Sequence, residues 1–128
     1  MRVLFFGSRW WTNRDKIHMD LARLNPEEDI IVHGACPPRV NRSGKSYPGA
    51  DALADDEAKR MGFTVEPHPA DWSLGRKAGP LRNQEMLDSG IDLAFGYKLT
   101  NVKTKGTDDM KKRLEDAGVL VRMREGKW

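Results

Sequence analysis

Apolar positions along this chain fall into two alternating patterns. Short continuous runs of β-branched and aromatic residues are separated by stretches in which apolar residues return every three or four positions. The first pattern predicts buried strands at RVLFF (2–6), DIIVHG (29–34), FTVEPH (63–68), IDLAFG (91–96) and VLVRM (119–123). The second predicts helices over 13–24, 49–62, 80–89 and 107–117. Asn13 is the expected cap of the first, with Ile17, Leu21 and Leu24 as its stripe. The second carries Ala52, Leu53, Ala58 and Met61. Gly62, Gly90 and Gly118 stand where the last three helices should stop. Strands alternating with helices imply a parallel sheet covered on both faces, with right-handed crossovers. The expected class is therefore α/β: a single Rossmann-like three-layer domain with a five-stranded, mostly parallel sheet.

Length adds one constraint. A chain of 128 residues suits one core of ordinary size, and no linker divides it, so residues 1–128 are expected to form one domain. The long irregular stretch CPPRVNRSGKSYP (36–48) is the exception to the regular pattern. Loops of that length in compact domains are usually functional or disordered. No apolar run reaches the length of a membrane span, and VLFF (3–6) is too short for a signal-peptide core. A cytoplasmic protein with no membrane partner is the expectation. The single cysteine, Cys36, excludes an internal disulfide and a cysteine-based zinc site. Net charge is +3, and residues 98–128 hold nine Lys or Arg against five acids. That segment is either a solvated basic face or a nucleic-acid surface.

In open α/β sheets ligands bind beyond the carboxyl ends of the strands. Gly7-Ser8-Arg9, His33-Gly34-Ala35, His68 to Trp72 and Gly96 to Thr107 all fall there. Glycines at such turns let backbone amides approach a phosphate, and the dipole of the following helix favours the anion. The helix at AGPLRNQEML (78–87) has the most pointed chemistry. Pro80 suits a first-turn position, and Gly79, Arg82, Asn83 and Met86 share one face. Arginine is disfavoured at a helix start unless an anion sits beside it, where the guanidinium acts as a fork. The competing reading pairs Arg82 with Glu85 or Asp71.

Two further patterns do not hold. SGKS (43–46) suggests a P-loop, but Arg39 stands where the leading glycine is required and no helix follows directly. His33, Cys36 and His68 lack the paired spacing of metal ligands, so no metal is expected. A Cys36–His33 nucleophile pair has nothing visible to orient the base. Trp10, Trp11 and Trp72 lie near the same edge and suit base stacking, packing or a subunit contact. Trp11, Trp72 and Trp128 are the candidates for that contact.

The strings GSRWWTNR (7–14), HGACP (33–37), GADALADDEA (49–58), EPHPADW (66–72), RKAGPLRNQEM (76–86) and KGTDDM (105–110) together resemble the SLOG superfamily, in its small YspA/YpsA-related branch. That superfamily also contains the DNA-processing protein DprA/Smf and the cytokinin-activating LOG enzymes. The match spans nearly the whole chain in order, and the HPADW…AGPxRNxxM block is its most specific part. The resemblance implies a Rossmann-like fold that binds a nucleotide or nucleotide derivative such as ADP-ribose or NAD, often in bacteriophage or defence-linked settings. No separate cofactor is implied, and relatives of this fold commonly self-associate into homo-oligomers. Residue by residue, it places Gly7, Ser8 and Arg9 at a first phosphate or ribose turn. Gly34, Gly49, Ala50 and Asp51 form a second turn. Gly79, Arg82, Asn83 and Met86 form a ligand-facing helix start, and Gly106 and Thr107 complete the set.

Two departures change what the resemblance implies. LOG-type enzymes carry PGGxGTxxE, whose glutamate supports cleavage of an N-glycosidic bond. Here the aligned stretch is VKTKGTDDM, with Lys103 and Thr104 for the two glycines and Met110 for the glutamate. Asp108 and Asp109 are off register and expected to point elsewhere. A lost carboxylate costs about 10²-fold or more. The second departure is the insertion of about residues 37–48, with Arg39, Arg42 and Lys45, beside the inferred cleft. The reading is a nucleotide-binding protein in which Arg82 and Arg9 hold phosphates and Asp51 or Asn83 meets ribose hydroxyls. One alternative is a nucleotide N-glycosidic-bond hydrolase (a phosphoribohydrolase) using Asp51, Asp71 or Asp108 with Arg82 as clamp. The other is a DprA-like nucleic-acid-binding module using the basic C-terminal third.

Overall fold

The computed structural model describes residues 1–127; Trp128 lies outside the described residues. The elements in chain order are β1 (Arg2–Gly7), α1 (Arg14–Leu21), β2 (Ile30–His33), β3 (Arg39–Val40), β4 (Ser46–Tyr47), α2 (Gly49–Arg60) and β5 (Thr64–Pro67). A 3-10 helix (Trp72–Lys77), α3 (Ala78–Asp88), β6 (Leu93–Leu99), α4 (Lys105–Asp116) and β7 (Leu120–Gly126) complete them. Five strands form one parallel sheet, as the alternation of patterns predicts, and their order is β5-β2-β1-β6-β7.

The pleat of β1 explains the three layers. Val3 and Phe5 point to one face, where they pack with Ile17 and Leu21 of α1 and Leu53, Ala54 and Ala58 of α2. Leu4 and Phe6 point to the other, against Met86 of α3 and Met110 and Leu114 of α4. Each of the buried Val, Leu, Ile, Phe and Met side chains among these contributes about 1.5–3 kcal/mol relative to exposure. A one-residue slip in β1 would exchange its two faces and disrupt both cores.

Several expected boundaries shift for identifiable reasons. Helix α1 stops at Leu21, with Ala22 as its C-cap, so Leu24 packs from a turn. Strand β6 runs through Gly96 to Leu99 instead of ending there. A Cβ at Gly96 would lie 2.5 Å from the Met123 sulfur, so this glycine serves close packing, not a turn. The irregular 36–48 stretch contains an antiparallel hairpin, β3 with β4. Its tip is closed by Asn41 Oδ1, which accepts from the amides of Ser43 and Lys45. SGKS therefore sits on a hairpin, not in a phosphate loop. Trp11 is not exposed: its ring lies 5.4 Å from Tyr97, it is 1% accessible, and its indole N–H donates to the Asn13 carbonyl. No helix among the described residues is long and apolar enough to cross a membrane.

Candidate functional site

The chain runs from β1 outward through β2 to β5, then returns past β1 to β6 and β7. Strand order therefore reverses between β1 and β6, and a crevice opens beyond their carboxyl ends. Here it is a cleft of about 970 Å³, within the size range of small-ligand sites.

Each wall has a local cause. Gly7 ends β1, and any side chain there would collide with the Tyr97 carbonyl and Ala50. This lets the Ser8 amide bond the Tyr97 carbonyl at 2.9 Å and turn Ser8 and Arg9 into the cleft. Gly34 follows β2 and lies under Arg82. Helix α3 places Arg82, Asn83 and Met86 on its buried face, which also borders the cleft. Helix α4 presents Gly106, Thr107, Asp109 and Met110 from the other side. Asn83 joins the two helices, donating to Asp109 Oδ2 at 3.0 Å and to the Gly106 carbonyl at 3.4 Å.

Arg82 is only 7% exposed. It donates to the Gly34 carbonyl, to Asn83 Oδ1 at 3.1 Å and to the His68 carbonyl at 3.4 Å; Nη2 faces the Cys36 sulfur at 3.6 Å. Neither Glu85 nor Asp71 pairs with it, and among the described residues it forms no salt bridge. A buried cation held only by neutral groups is costly unless an anion joins it. Around it the cleft is lined by six cationic side chains, Arg9, Arg39, Arg76, Arg82, Lys103 and Lys105, against two carboxylates, Asp51 and Asp109. Arg9 also lies over the half-exposed Trp72 ring at 4.8 Å, and Arg39 lies 6.0 Å from Trp10.

The carboxylates are not equivalent. Asp51 is buried and accepts from the Cys36 amide at 3.1 Å, which ties the turn after β2 to α2. Burial opposes ionisation of Asp109, but hydrogen bonds from Arg113 and Asn83 outweigh it and hold its carboxyl below the ordinary range. Both bonds fall on Oδ2. Asp109 thus borders the cleft, against the expectation that it points elsewhere. The helix starts at Lys105, and Gly106, Asp109 and Met110 share the face toward α3. Asp108 does point away and pairs with Lys98 at 2.9 Å. Asp71 is exposed and caps the 3-10 helix, accepting from the Ser73 amide at 3.1 Å; it does not border the cleft.

Gly49 is also outside the cleft. Its φ of +81° and its contact with the Arg9 backbone, 2.9 Å from a built Cβ, show that it shapes the support beneath the first turn. Burial and the nearby Asp51 charge push the Cys36 thiol up, with Arg82 and Arg9 opposing. His33 does not activate it. Nε2 of His33 meets Asp55 at 2.8 Å, and Nδ1 accepts from the Ala35 amide at 2.9 Å, so both ring nitrogens are occupied. Arg76 and Lys105 join the lining without having been singled out from the sequence. The 3-10 segment that carries Arg76 has no periodicity that would have marked it.

Five basic residues of the C-terminal third are held in ion pairs. Lys98, Lys111, Lys112, Arg113 and Arg124 pair with Asp108, Glu115, Asp116, Asp109 and Asp20 respectively. Lys103 and Lys105 instead face the cleft.

No protein-family model matches the chain. It is 35% identical over 129 aligned residues to the Gene 61 protein of Mycobacterium phage D29, across 94% of this chain and 93% of that protein.

Proposed function

The chain belongs to the same family as that phage Gene 61 protein, and from its cleft we propose that it binds a nucleotide or a nucleotide derivative of the ADP-ribose or NAD kind. The observation that carries this reading is Arg82: a buried guanidinium without a carboxylate partner among the described residues, in a cationic cleft at the switch point of an open sheet. A phosphate supplies the missing charge, and Arg9 with Ser8 closes the opposite wall. Trp72 and Trp10 at the rim offer rings for a base. The motif resemblance to SLOG proteins supports the same ligand class. Thermal-shift screening with AMP, ADP, ATP, NAD, ADP-ribose, cyclic ADP-ribose and a short oligonucleotide tests it. Ligand at 100 times its Kd adds about 2.7 kcal/mol of stability, a readable shift. A shift with a nucleotide that Arg82→Ala abolishes is the expected result. No shift with any nucleotide refutes the reading.

A second reading, hydrolysis of the ligand's N-glycosidic bond, draws on Asp109. This ionised carboxylate borders the cleft and keeps Oδ1 clear of the bonds to Asn83 and Arg113. Base release that Asp109→Asn removes while binding persists would establish it. Binding without release at high protein concentration leaves a binding protein.

A further inference from the structure

Ala35 is the one residue other than glycine with a positive φ, +50°, among the described residues. Left-handed backbone is unfavourable for a residue with a Cβ and persists where neighbours fix it. The fixing contact is the Ala35 amide, which donates to Nδ1 of His33 at 2.9 Å. The other ring nitrogen, Nε2, meets Asp55 Oδ1 at 2.8 Å. A nitrogen that accepts a hydrogen bond carries no proton. Nδ1 is therefore bare, Nε2 bears the hydrogen, and the ring is neutral. His33 is 3% exposed, so water does not replace either partner.

The turn locked in this way, Gly34-Ala35-Cys36, holds the cleft together. The Gly34 carbonyl accepts from Arg82 Nη1, the Cys36 amide donates to Asp51 at 3.1 Å, and the Cys36 sulfur lies 3.6 Å from Arg82 Nη2. His33 itself does not line the cleft. Its ring meets Asp55 of α2, whereas Arg82 belongs to α3 on the other face of the sheet. What it does for Arg82 passes through the backbone of Ala35 and Gly34.

We propose that His33 is a positioning residue for Arg82, and that it acts only as a neutral ring, which makes anion binding in the cleft pH-dependent. This deepens the nucleotide reading by naming a regulation of that site, and rests on it. A proton on Nδ1 would set two donors against each other at 2.9 Å. The amide then leaves, Ala35 loses what held its positive φ, and the Gly34 carbonyl moves off Arg82. Ligand binding needs the turn in place, so it is linked to the absence of that proton, and affinity falls as pH falls.

Other charges surround the turn. Asp55 and Lys59 face the ring from α2; burial opposes ionisation of Asp55, but bonds from Lys59 and His33 outweigh it and hold its carboxyl below the ordinary range. Asp51 and Arg82 meet the turn at Cys36 and Gly34. From β5, Glu66 pairs with the His68 ring, and the His68 amide donates to the His33 carbonyl. His68 is the other histidine beside the turn, and comparing variants at His33 cancels its contribution.

Two near-isosteres test this. His33→Asn puts Oδ1 where Nδ1 stood, so it still accepts from the amide two residues on but takes up no proton. His33→Gln can reach Asp55 but offers the Ala35 amide nothing. Calorimetric titration uses ADP-ribose, whose linked phosphates keep their charge, from about pH 8 to about pH 5, the range in which histidine changes charge. Wild type should lose at least about tenfold in affinity across that range, the scale of one hydrogen bond. His33→Asn should match wild type at the upper end and hold that affinity to the lower. His33→Gln should be weak throughout. In unliganded wild type, which needs no variant to fold, the Ala35 amide proton resonance should move upfield in step with titration of the His33 ring. A merely structural pair with Asp55 predicts the reverse order, with Gln matching wild type and Asn weak, and that order overturns the proposal. So does a flat wild-type profile, or an Ala35 amide that ignores the ring. If ADP-ribose binds wild type at no pH, the nucleotide reading fails for that ligand, while the amide resonance still decides whether His33 locks the turn.

Discussion

The Arg82 guanidinium lies directly against Gly34: it donates to the Gly34 carbonyl, and a Cβ at Gly34 would fall 2.6 Å from Arg82 Cζ. A residue from the second half of the chain thereby closes the turn after β2. Gly34→Ala should displace the guanidinium, cost about 1–3 kcal/mol as an overpacked site does, and weaken nucleotide binding. Arg82→Lys should keep the charge, lose the fork, and recover only part of the affinity that Arg82→Ala loses. Urea unfolding and nucleotide titration of the three variants check this.

Arg2, Glu66 and His68 give a test of acid stability. Hydrogen bonds from Arg2, then His68, hold the Glu66 carboxyl at about 2, below its ordinary 4.5. A depressed folded-state value contributes stability above the unfolded value, and that contribution disappears as pH falls through the folded one. Glu66→Gln should therefore be less stable than wild type at pH 7. The gap should narrow below about pH 4.5 and close near pH 2, as read from urea midpoints across that range. A gap independent of pH would mean the ion pair contributes nothing.

The buried hydroxyl of Tyr97 donates to Asp20 at 2.8 Å, and Arg124 reaches both oxygens of the same carboxylate. Burial, then the Asp20 charge, pushes the phenol far up. Asp20→Ala strands two donors, so it should cost about 3 kcal/mol or more, whereas Tyr97→Phe leaves the Arg124 pair intact and should cost about 1 kcal/mol. Chemical denaturation of both variants would show the asymmetry.

The hairpin of β3 and β4 offers a paired comparison. Arg39 borders the cleft, while the exposed Arg42 at the tip does not. Arg39→Ala should lower nucleotide affinity several-fold, in line with an exposed charge contact of about 1 kcal/mol. Arg42→Ala should change little. Equal losses would reduce both residues to a diffuse field effect.

What the sequence disclosed depended on how local each cause is. Asn13 as a cap, and Gly62, Gly90 and Gly118 as stops, were legible because caps and positive φ are settled within one turn of chain. The layer order followed from the pleat of β1. Gly96 was misread because its reason lies across the sheet in Met123, which no local pattern reveals. Of the three roles open to Trp11, packing holds, because Tyr97, far along the chain, lies against its buried ring. Strands of two residues leave no periodicity, so the hairpin stayed hidden. Arg82 was placed in the cleft from helical spacing, but its partners are backbone carbonyls rather than the acids nearby in sequence. Asp109 was misjudged because a one-residue offset from Met110, about 100° on a helix, still leaves a side chain on the broad face toward α3 and the cleft.

The reversal of strand order between β1 and β6 has a consequence for the ribosome. The cleft needs Gly7 and Gly34 from early in the chain, Arg82 from later, and the start of α4 at Lys105 near the end. A nascent chain that has already made β1, β2 and β5 still lacks α3 and the start of α4, which line the rest of the cleft. Synthesis must pass Thr107 before a ligand meets a complete set of contacts. The cleft is therefore a product of the finished fold, assembled only after the early segments are already in place.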